Sequence, residues 1–114
     1  MAHQGENISV EAFLAAVKEN KLAKVEEFIS KKRDIIDCTD REKNTGVHFA
    51  ARGGLASMVT VLVRNNANIN LQNKLGDTPL IIASEEGQTE ISEILLKSHA
   101  KVDSKDKDGN LDNM

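Results

Sequence analysis

The chain has 114 residues, a formal net charge of −3, one cysteine, and neither tryptophan nor tyrosine. This length fits one small domain. The mixed charge lacks the basic excess that nucleic acids and anionic membrane surfaces favour, and the scarcity of aromatic residues argues against a surface that stacks nucleic-acid bases.

The sequence also bears on the compartment. It contains no long apolar run, and its first residues lack the basic and apolar regions of a secretory signal, so we predict neither a transmembrane helix nor a leader. Cys38 is the single cysteine, which excludes an intrachain disulfide and favours the cytosol or the nucleus. Asn7-Ile8-Ser9 fits a glycosylation acceptor, but without a secretory signal we do not interpret it as one.

Residues 1–8 are predicted to be a disordered lead, and a first unit at residues 9–39 to hold two helices. Ser9 is a suitable N-cap, and Asn20 suits a left-handed helix terminus between the two helices. The apolar residues recur at helical spacing, as Val10, Phe13, Leu14 and Val17, then Leu22, Val25, Phe28 and Ile29. We interpret the charged run at residues 31–34 as the polar face of a terminal cap rather than a nuclear import signal.

A second unit is predicted at residues 40–72. Residues 41–44 form a hairpin tip, in which Lys43 occupies a turn position that glycine would fill more comfortably. A short helix over residues 47–52 is broken by Gly53 and Gly54, and a second helix follows until Asn66. Its apolar residues are Met58, Val59, Val61, Leu62 and Val63.

A third unit is predicted at residues 73–105. Gly76 suits a tight turn, Thr78 suits an N-cap, and Pro79 suits the first helical position, where its missing N–H costs nothing. His99 stands where Asn66 stood in the second unit, so we predict a positive φ for it. The helices carry Leu80, Ile81, Ile82 and Ala83, then Ile91, Ile94, Leu95 and Leu96.

The last two units repeat one pattern at an offset of 33 residues, which relates Thr45 to Thr78 and Leu62 to Leu95. The segments at residues 45–50 and 78–83 together resemble the Thr-Pro-Leu-His-x-Ala motif of the ankyrin repeat family. The chain departs from the motif at Gly46, in place of proline, and at Ile81, in place of histidine.

The resemblance covers about residues 8–110 and implies an all-α repeat solenoid of stacked helix–turn–helix units joined by β-hairpin-like loops. Residues 9–39 would be an atypical N-terminal cap, and residues 106–114 a frayed start of a further hairpin. Since no helices follow, we expect either a fragment of a longer ankyrin protein or an isoleucine-rich third unit that a partner or a second copy covers.

Ankyrin repeats bind other proteins through hairpin tips and the concave face of their first helices, so the resemblance implies a non-catalytic scaffold or adaptor. The alternative is an assembly role, in which the C-terminal unit pairs with another chain or with missing repeats of a longer protein. On its own, the chain is expected to be a monomer or to self-associate weakly through that unit. Among the candidate contacts, Leu75, Arg41 and Arg52 are the predicted hot spots. The candidate contacts are Arg41, Glu42, Asn44, Arg52, Lys74, Leu75, Asp77, Glu85, Glu86, Lys107 and Asp108, and the first unit offers Lys18 and Glu19.

No catalytic motif, cofactor motif or metal-ligand spacing is present in the sequence. His48 invites a catalytic interpretation, but the resemblance implies a structural histidine that bonds to Thr45 and ties neighbouring hairpins together. The acidic run at residues 106–112 resembles part of a calcium loop, although the next hairpin explains it better. Asn70, eight residues after Leu62, resembles an asparagine that ankyrin repeats offer to an asparaginyl hydroxylase, and it also suits an inter-unit turn.

Overall fold

A computed structural model describes residues 8–99 of the chain. No strand occurs in that range, so the predicted all-α fold is confirmed. Lys107, Asp108 and the calcium-like run lie outside it, as do residues 1–7. The elements are α1 Val10–Lys18, α2 Leu22–Lys31, a 3₁₀ helix Arg33–Asp37, α3 Gly46–Gly53, α4 Ala56–Arg64, α5 Pro79–Glu85 and α6 Thr89–Lys97.

The first helix of each unit begins at a hydroxyl side chain that caps it: Ser9, Thr45 and Thr78. The Thr78 hydroxyl oxygen accepts the Ile81 N–H at 3.3 Å, and Pro79 occupies the first turn of α5. These caps satisfy backbone donors that have no partner inside the helix. The caps predicted at Ser9 and Thr78 are therefore confirmed, whereas α3 begins at Gly46, one residue before its predicted start. The helices α2, α4 and α6 begin without a side-chain cap.

Residues with positive φ follow the helices at repeating positions. Asn20 (φ 60°), Gly54 (φ 73°) and Gly87 (φ 72°) follow the first helices, whereas Asn66 (φ 69°) and His99 (φ 72°) follow α4 and α6. A left-handed residue reverses the chain tightly enough for the next segment to return along the same unit. The positions predicted for Asn20, Asn66 and His99 are confirmed.

Two hairpin tips connect the units, and we call residues 40–44 tip 1 and residues 73–77 tip 2. In tip 2 the Asn73 N–H donates to the Asp77 carbonyl at 2.9 Å, and the equivalent bond in tip 1 is 3.1 Å long. The Asn73 side-chain oxygen also accepts two N–H groups of its own tip, both at 2.9 Å. Each tip is therefore closed by its own backbone and its first side chain.

Replacing Lys43 with glycine is expected to raise the free energy of unfolding by about 0.5–1 kcal/mol. Lys43 has a φ of 66°, and Gly76 has a φ of 83° at the equivalent position of tip 2. Glycine removes the steric cost of this conformation at some cost in unfolded-chain entropy. Urea unfolding measures the change, with Lys97→Gly inside α6 as the control. Equal losses of stability in both variants would contradict the prediction.

The helices form two layers that run along the stack. The first helices α1, α3 and α5 contact one another in order, and α2, α4 and α6 form the second layer behind them. All three units contribute buried side chains to one continuous core, so no unit buries its apolar face alone. Ile8, which the sequence analysis placed in the lead, is buried in this core, and its most enclosed side chains include Phe13, Met58, Leu62, Ile82, Ile91 and Leu95.

The closeness of α1 to α3 accounts for Gly46, where the family motif has proline. A Cβ at Gly46 would lie 3.3 Å from Val17 Cγ2 and 3.4 Å from Phe13 Cε2. Both atoms belong to side chains of the atypical first unit. Gly46 is buried, and its missing side chain lets the backbone of α3 approach α1.

The 3₁₀ helix was not anticipated from the sequence. It buries Ile35 and Ile36, while the charged residues before them are exposed, as expected of a polar outer face. Cys38 follows directly and is half-buried, in agreement with a small filler residue. Burial raises the pKa of the Cys38 thiol to about 11, and the nearby Asp37 carboxylate adds to that increase. The thiol therefore stays protonated at neutral pH.

Candidate functional site

His48 joins the second unit to the third. Its Nδ1 accepts the Thr45 N–H at 3.0 Å and lies 2.8 Å from the Thr45 hydroxyl, and its Nε2 lies 2.8 Å from the Asp77 carbonyl oxygen. Because Nδ1 accepts a backbone N–H, Nε2 carries the ring proton and donates it to the carbonyl. The side chain is 1% exposed. This geometry confirms the structural role that the resemblance implied for His48.

Tips 1 and 2 are bonded to each other as well. The Lys74 N–H donates to the Glu42 carbonyl at 2.9 Å, and the Asn73 side-chain amide donates to the Asn44 side-chain oxygen at 2.9 Å. Together with the His48 bond, these contacts fix the relative position of the two tips.

Two of the candidate contacts lie below the surface. Asn44 and Asp77 are each 8% exposed, and the Asn44 side-chain oxygen is covered by the Asn73 amide of tip 2. The Asn44 side chain therefore helps to hold the two tips together, and a partner contact is better sought among the exposed neighbours of Asn44 and Asp77. The family resemblance placed both residues at the tips, but the spacing of residues carries no information on how closely two tips approach.

Four other candidates line one pocket. This inter-tip pocket has a volume of about 190 Å³ and opens between tips 1 and 2 at the end of α3. Its most prominent side chain is Leu75, which is 77% exposed although its N–H is held by the Asn73 side-chain oxygen at 2.9 Å. The pocket is lined by Glu42, Asn44, Arg52, Asn73, Lys74 and Leu75.

The remaining described candidates lie outside this pocket. Arg41 lines a larger opening of about 730 Å³ between tip 1 and the start of α1, together with Val10 and Leu14. Glu85 and Glu86 are exposed at the end of α5 and line neither opening. The structure thus brings together Arg52, Lys74, Leu75 and Glu42, and leaves the acidic pair one unit further along.

Four exposed cations lie in the tips or at the end of α3: Arg41, Lys43, Lys74 and Arg52. None of them has an ion-pair partner among residues 8–99. Within the same range, the ion pairs lie elsewhere: Glu19–Lys21, Lys24–Glu27, Glu27–Lys31, Lys32–Asp34 and Glu26–Arg64. The charges around the inter-tip pocket are therefore available to a ligand.

Acid is expected to destabilise the fold through His48. Burial lowers the pKa of His48 below its ordinary value of 6.5, the bond to the Asp77 carbonyl opposes this decrease, and the Arg52 charge adds to it. Below pH 6.5 the unfolded chain binds a proton that the folded chain does not, so stability falls as the pH falls. The contribution approaches about 1.4 kcal/mol per pH unit at most.

Urea unfolding across this pH range measures the effect. The His48→Gln variant should lose this part of the pH dependence, whereas His99→Gln, at an exposed position, should keep it. A pH dependence that is the same in the wild type and in His48→Gln would show that His48 does not contribute.

Asn70 remains a predicted hydroxylation site. It is half-buried in the segment after α4, where its N–H donates to the Asn68 side-chain oxygen at 3.0 Å. Leu62 on α4 is fully buried. An enzyme that recognises both Leu62 and Asn70 therefore requires α4 and the segment after it to unfold locally. A mass increase of one oxygen atom mapped to Asn70 after incubation with an asparaginyl hydroxylase would support the prediction.

Other kinds of site find no support in the described part of the chain. Residues 8–99 hold no group of three or more His, Cys, Asp or Glu side chains that is able to bind a metal ion. None of the helices in this range has the length and apolar character needed to cross a bilayer.

Comparison with known proteins gives a consistent picture. A family model described as ankyrin repeats (3 copies) matches residues 13–106. The chain is 29% identical over 99 residues to mouse protein phosphatase 1 regulatory subunit 27, and 35% identical over 85 residues to the Dictyostelium discoideum 26S proteasome non-ATPase regulatory subunit 10. It is 36% identical over 67 residues to human ankyrin repeat domain-containing protein 37.

These alignments cover 87%, 74% and 59% of this chain, respectively. They cover 64%, 37% and 42% of the three relatives, so the chain spans less than two thirds of each of them.

Proposed function

The chain belongs to the ankyrin repeat family, whose repeats are generally non-catalytic protein–protein interaction modules, and from this we propose that it is a scaffold or adaptor that binds a partner protein through its tips and concave helix face. The observation that carries this proposal is the inter-tip pocket, where Leu75 stands exposed beside Arg52 and Lys74. The cytosol or the nucleus is the proposed compartment, because Cys38 is a single, half-buried thiol.

The pocket has the properties of a protein contact site. An exposed apolar side chain surrounded by polar groups is the usual composition of a small interface centre, and arginine is among the residues that dominate binding energies. Leu75 is displayed on a turn that three hydrogen bonds hold to its neighbour, so little conformational freedom is left for a partner to remove.

A quantitative pull-down from cell extract tests the proposal. The wild type is compared with the Leu75→Asp, Arg52→Glu double variant, and with an Arg33→Glu, Leu96→Asp double variant as the matched control. Both pairs are exposed and make the same changes of charge and polarity at different places. Each variant must first show the helix content of the wild type by circular dichroism.

The outcomes separate the possible surfaces. A partner that the wild type and the control retain, but the Leu75 and Arg52 variant loses, supports binding at the tips. Identical sets of proteins in all three captures would contradict it.

A second candidate function is assembly with another chain through the last described unit. Leu96 is 47% exposed on α6, and Ile81 and Ile94 of the same unit are only half-buried. If two copies pair through these side chains, the melting temperature rises with protein concentration. The Leu96→Asp variant should remove that dependence. A monomer that melts at one temperature over all concentrations excludes self-pairing.

A further inference from the structure

The inter-tip pocket also indicates the chemistry of its ligand. We propose that it binds an acidic segment of the partner protein, with an apolar side chain against Leu75 and carboxylates against Arg52 and Lys74. This inference rests on the proposed interaction function and adds the class of segment that is recognised.

The charges of the two tips are unequal. Arg41, Lys43 and Lys74 are exposed, and Arg52 adds a fourth cation at the end of α3. Glu42 is the single exposed carboxylate of tips 1 and 2. Among the exposed side chains of the tips and the end of α3, cations therefore outnumber carboxylates four to one, although the formal net charge of the chain is −3.

The other carboxylates of the tips are less accessible. Asp40 is half-buried, and one of its oxygens accepts the N–H groups of Glu42 and Asn44, each at 2.9 Å. Asp77, the last residue of tip 2, is buried. Both groups weaken the positive potential without being able to take a ligand's cation at the surface, so an anionic ligand is favoured over a cationic one.

The sign of the charge changes along the concave face. Lys18, Arg52 and Glu85 stand at equivalent places at the ends of α1, α3 and α5. Lys18 is held against this face, because its Nζ lies 4.3 Å from the centre of the Phe49 ring. An acidic segment therefore fits over the ends of α1 and α3 and over tip 2, and its acidic part ends before it reaches Glu85 and Glu86.

The apolar contact is required because exposed ion pairs alone contribute little to binding. Leu75 is the most exposed large apolar side chain of residues 8–99. Covering it removes apolar surface from water, and it lies in the same pocket as the two cations. A segment with acidic and apolar side chains contacts Leu75 as well as Arg52 and Lys74, whereas a purely acidic segment contacts only the two cations.

A selection from short random peptides displayed on phage, followed by fluorescence polarisation with the selected peptides, tests the inference. We expect selected peptides to combine Asp or Glu with Leu, Ile, Met or Phe. Their affinity should fall about tenfold in Arg52→Glu, Lys74→Glu and several-fold in Leu75→Ala. The control Arg33→Glu, Lys97→Glu makes the same charge change at exposed positions outside the pocket, and it should bind as the wild type does.

A charge exchange completes the test. A selected peptide whose acidic residues are replaced by lysine should lose binding to the wild type and regain it with Arg52→Glu, Lys74→Glu. Selection of basic peptides, an unchanged affinity in the charge-reversed variant, or no selection at all would each overturn the inference. The proposed function fails separately, when the pull-down captures do not depend on Leu75 and Arg52.

Discussion

Replacing His48 with alanine is expected to lower the free energy of unfolding by about 3 kcal/mol. The variant loses the bond between Nδ1 and the Thr45 N–H and the bond from Nε2 to the Asp77 carbonyl. Thr45 is buried, so its N–H loses an acceptor in a place that water does not reach easily. The variant also lacks the fully enclosed ring, and the cavity that the ring leaves behind lowers the stability further.

Urea unfolding of the purified chain measures this change. The control is His99→Ala, which makes the same substitution at an exposed position and should cost less than about 0.5 kcal/mol. A loss of less than about 1 kcal/mol in His48→Ala would mean that water replaces the imidazole, and that the joint between the units is weaker than its geometry suggests.

Replacing Leu62 with alanine is expected to cost a similar amount, about 3 kcal/mol. Leu62 is 0% exposed on α4, which packs against α3 within its unit and against α2 and α6 on either side. The substitution therefore leaves a cavity in the unit that has neighbours on both sides. We expect a single unfolding transition at a lower urea concentration, with an unchanged dependence of the free energy on urea.

Two further leucines provide matched comparisons. Leu95 stands at the equivalent position of the third unit and is also 0% exposed, whereas Leu96 is 47% exposed. Leu95→Ala should weaken mainly the end of the stack, because units of a repeat protein interact only with their neighbours. It should therefore broaden the transition, while Leu96→Ala should have little effect. Equal effects at all three positions would contradict a stack that is coupled through its central unit.

Much of this architecture follows from short-range patterns in the sequence. The caps at Ser9 and Thr78, and the left-handed positions at Asn20 and His99, depend on residues within one or two turns of chain. The 33-residue offset places corresponding residues in corresponding environments, and the resemblance to the ankyrin motif implied the role of His48. Local chemistry and repetition together are sufficient for the fold.

Features that depend on the approach of two units were not predictable in this way. The burial of Asn44 arises because tip 2 lies directly on tip 1, a distance that no residue spacing encodes. The 3₁₀ helix at Arg33–Asp37 is too short to show a period, and it is stabilised by burial of its two isoleucines. For the same reason, the sequence indicated Arg52, Lys74 and Leu75 as separate candidates, but it did not predict that the three residues line one pocket.

The bond from His48 to the Asp77 carbonyl bears on how such a chain grows by duplication. Because the acceptor is a main-chain oxygen, the joint does not depend on which side chain follows it. An inserted copy of residues 40–72 would bring its own histidine and a main-chain carbonyl in the corresponding place. A copy of residues 73–105 would bring Ile81 in place of the histidine, and its boundary with its successor would lack this bond. Duplication of the middle unit therefore keeps the histidine-to-carbonyl bond at each new boundary, whereas duplication of the last unit adds a boundary without it.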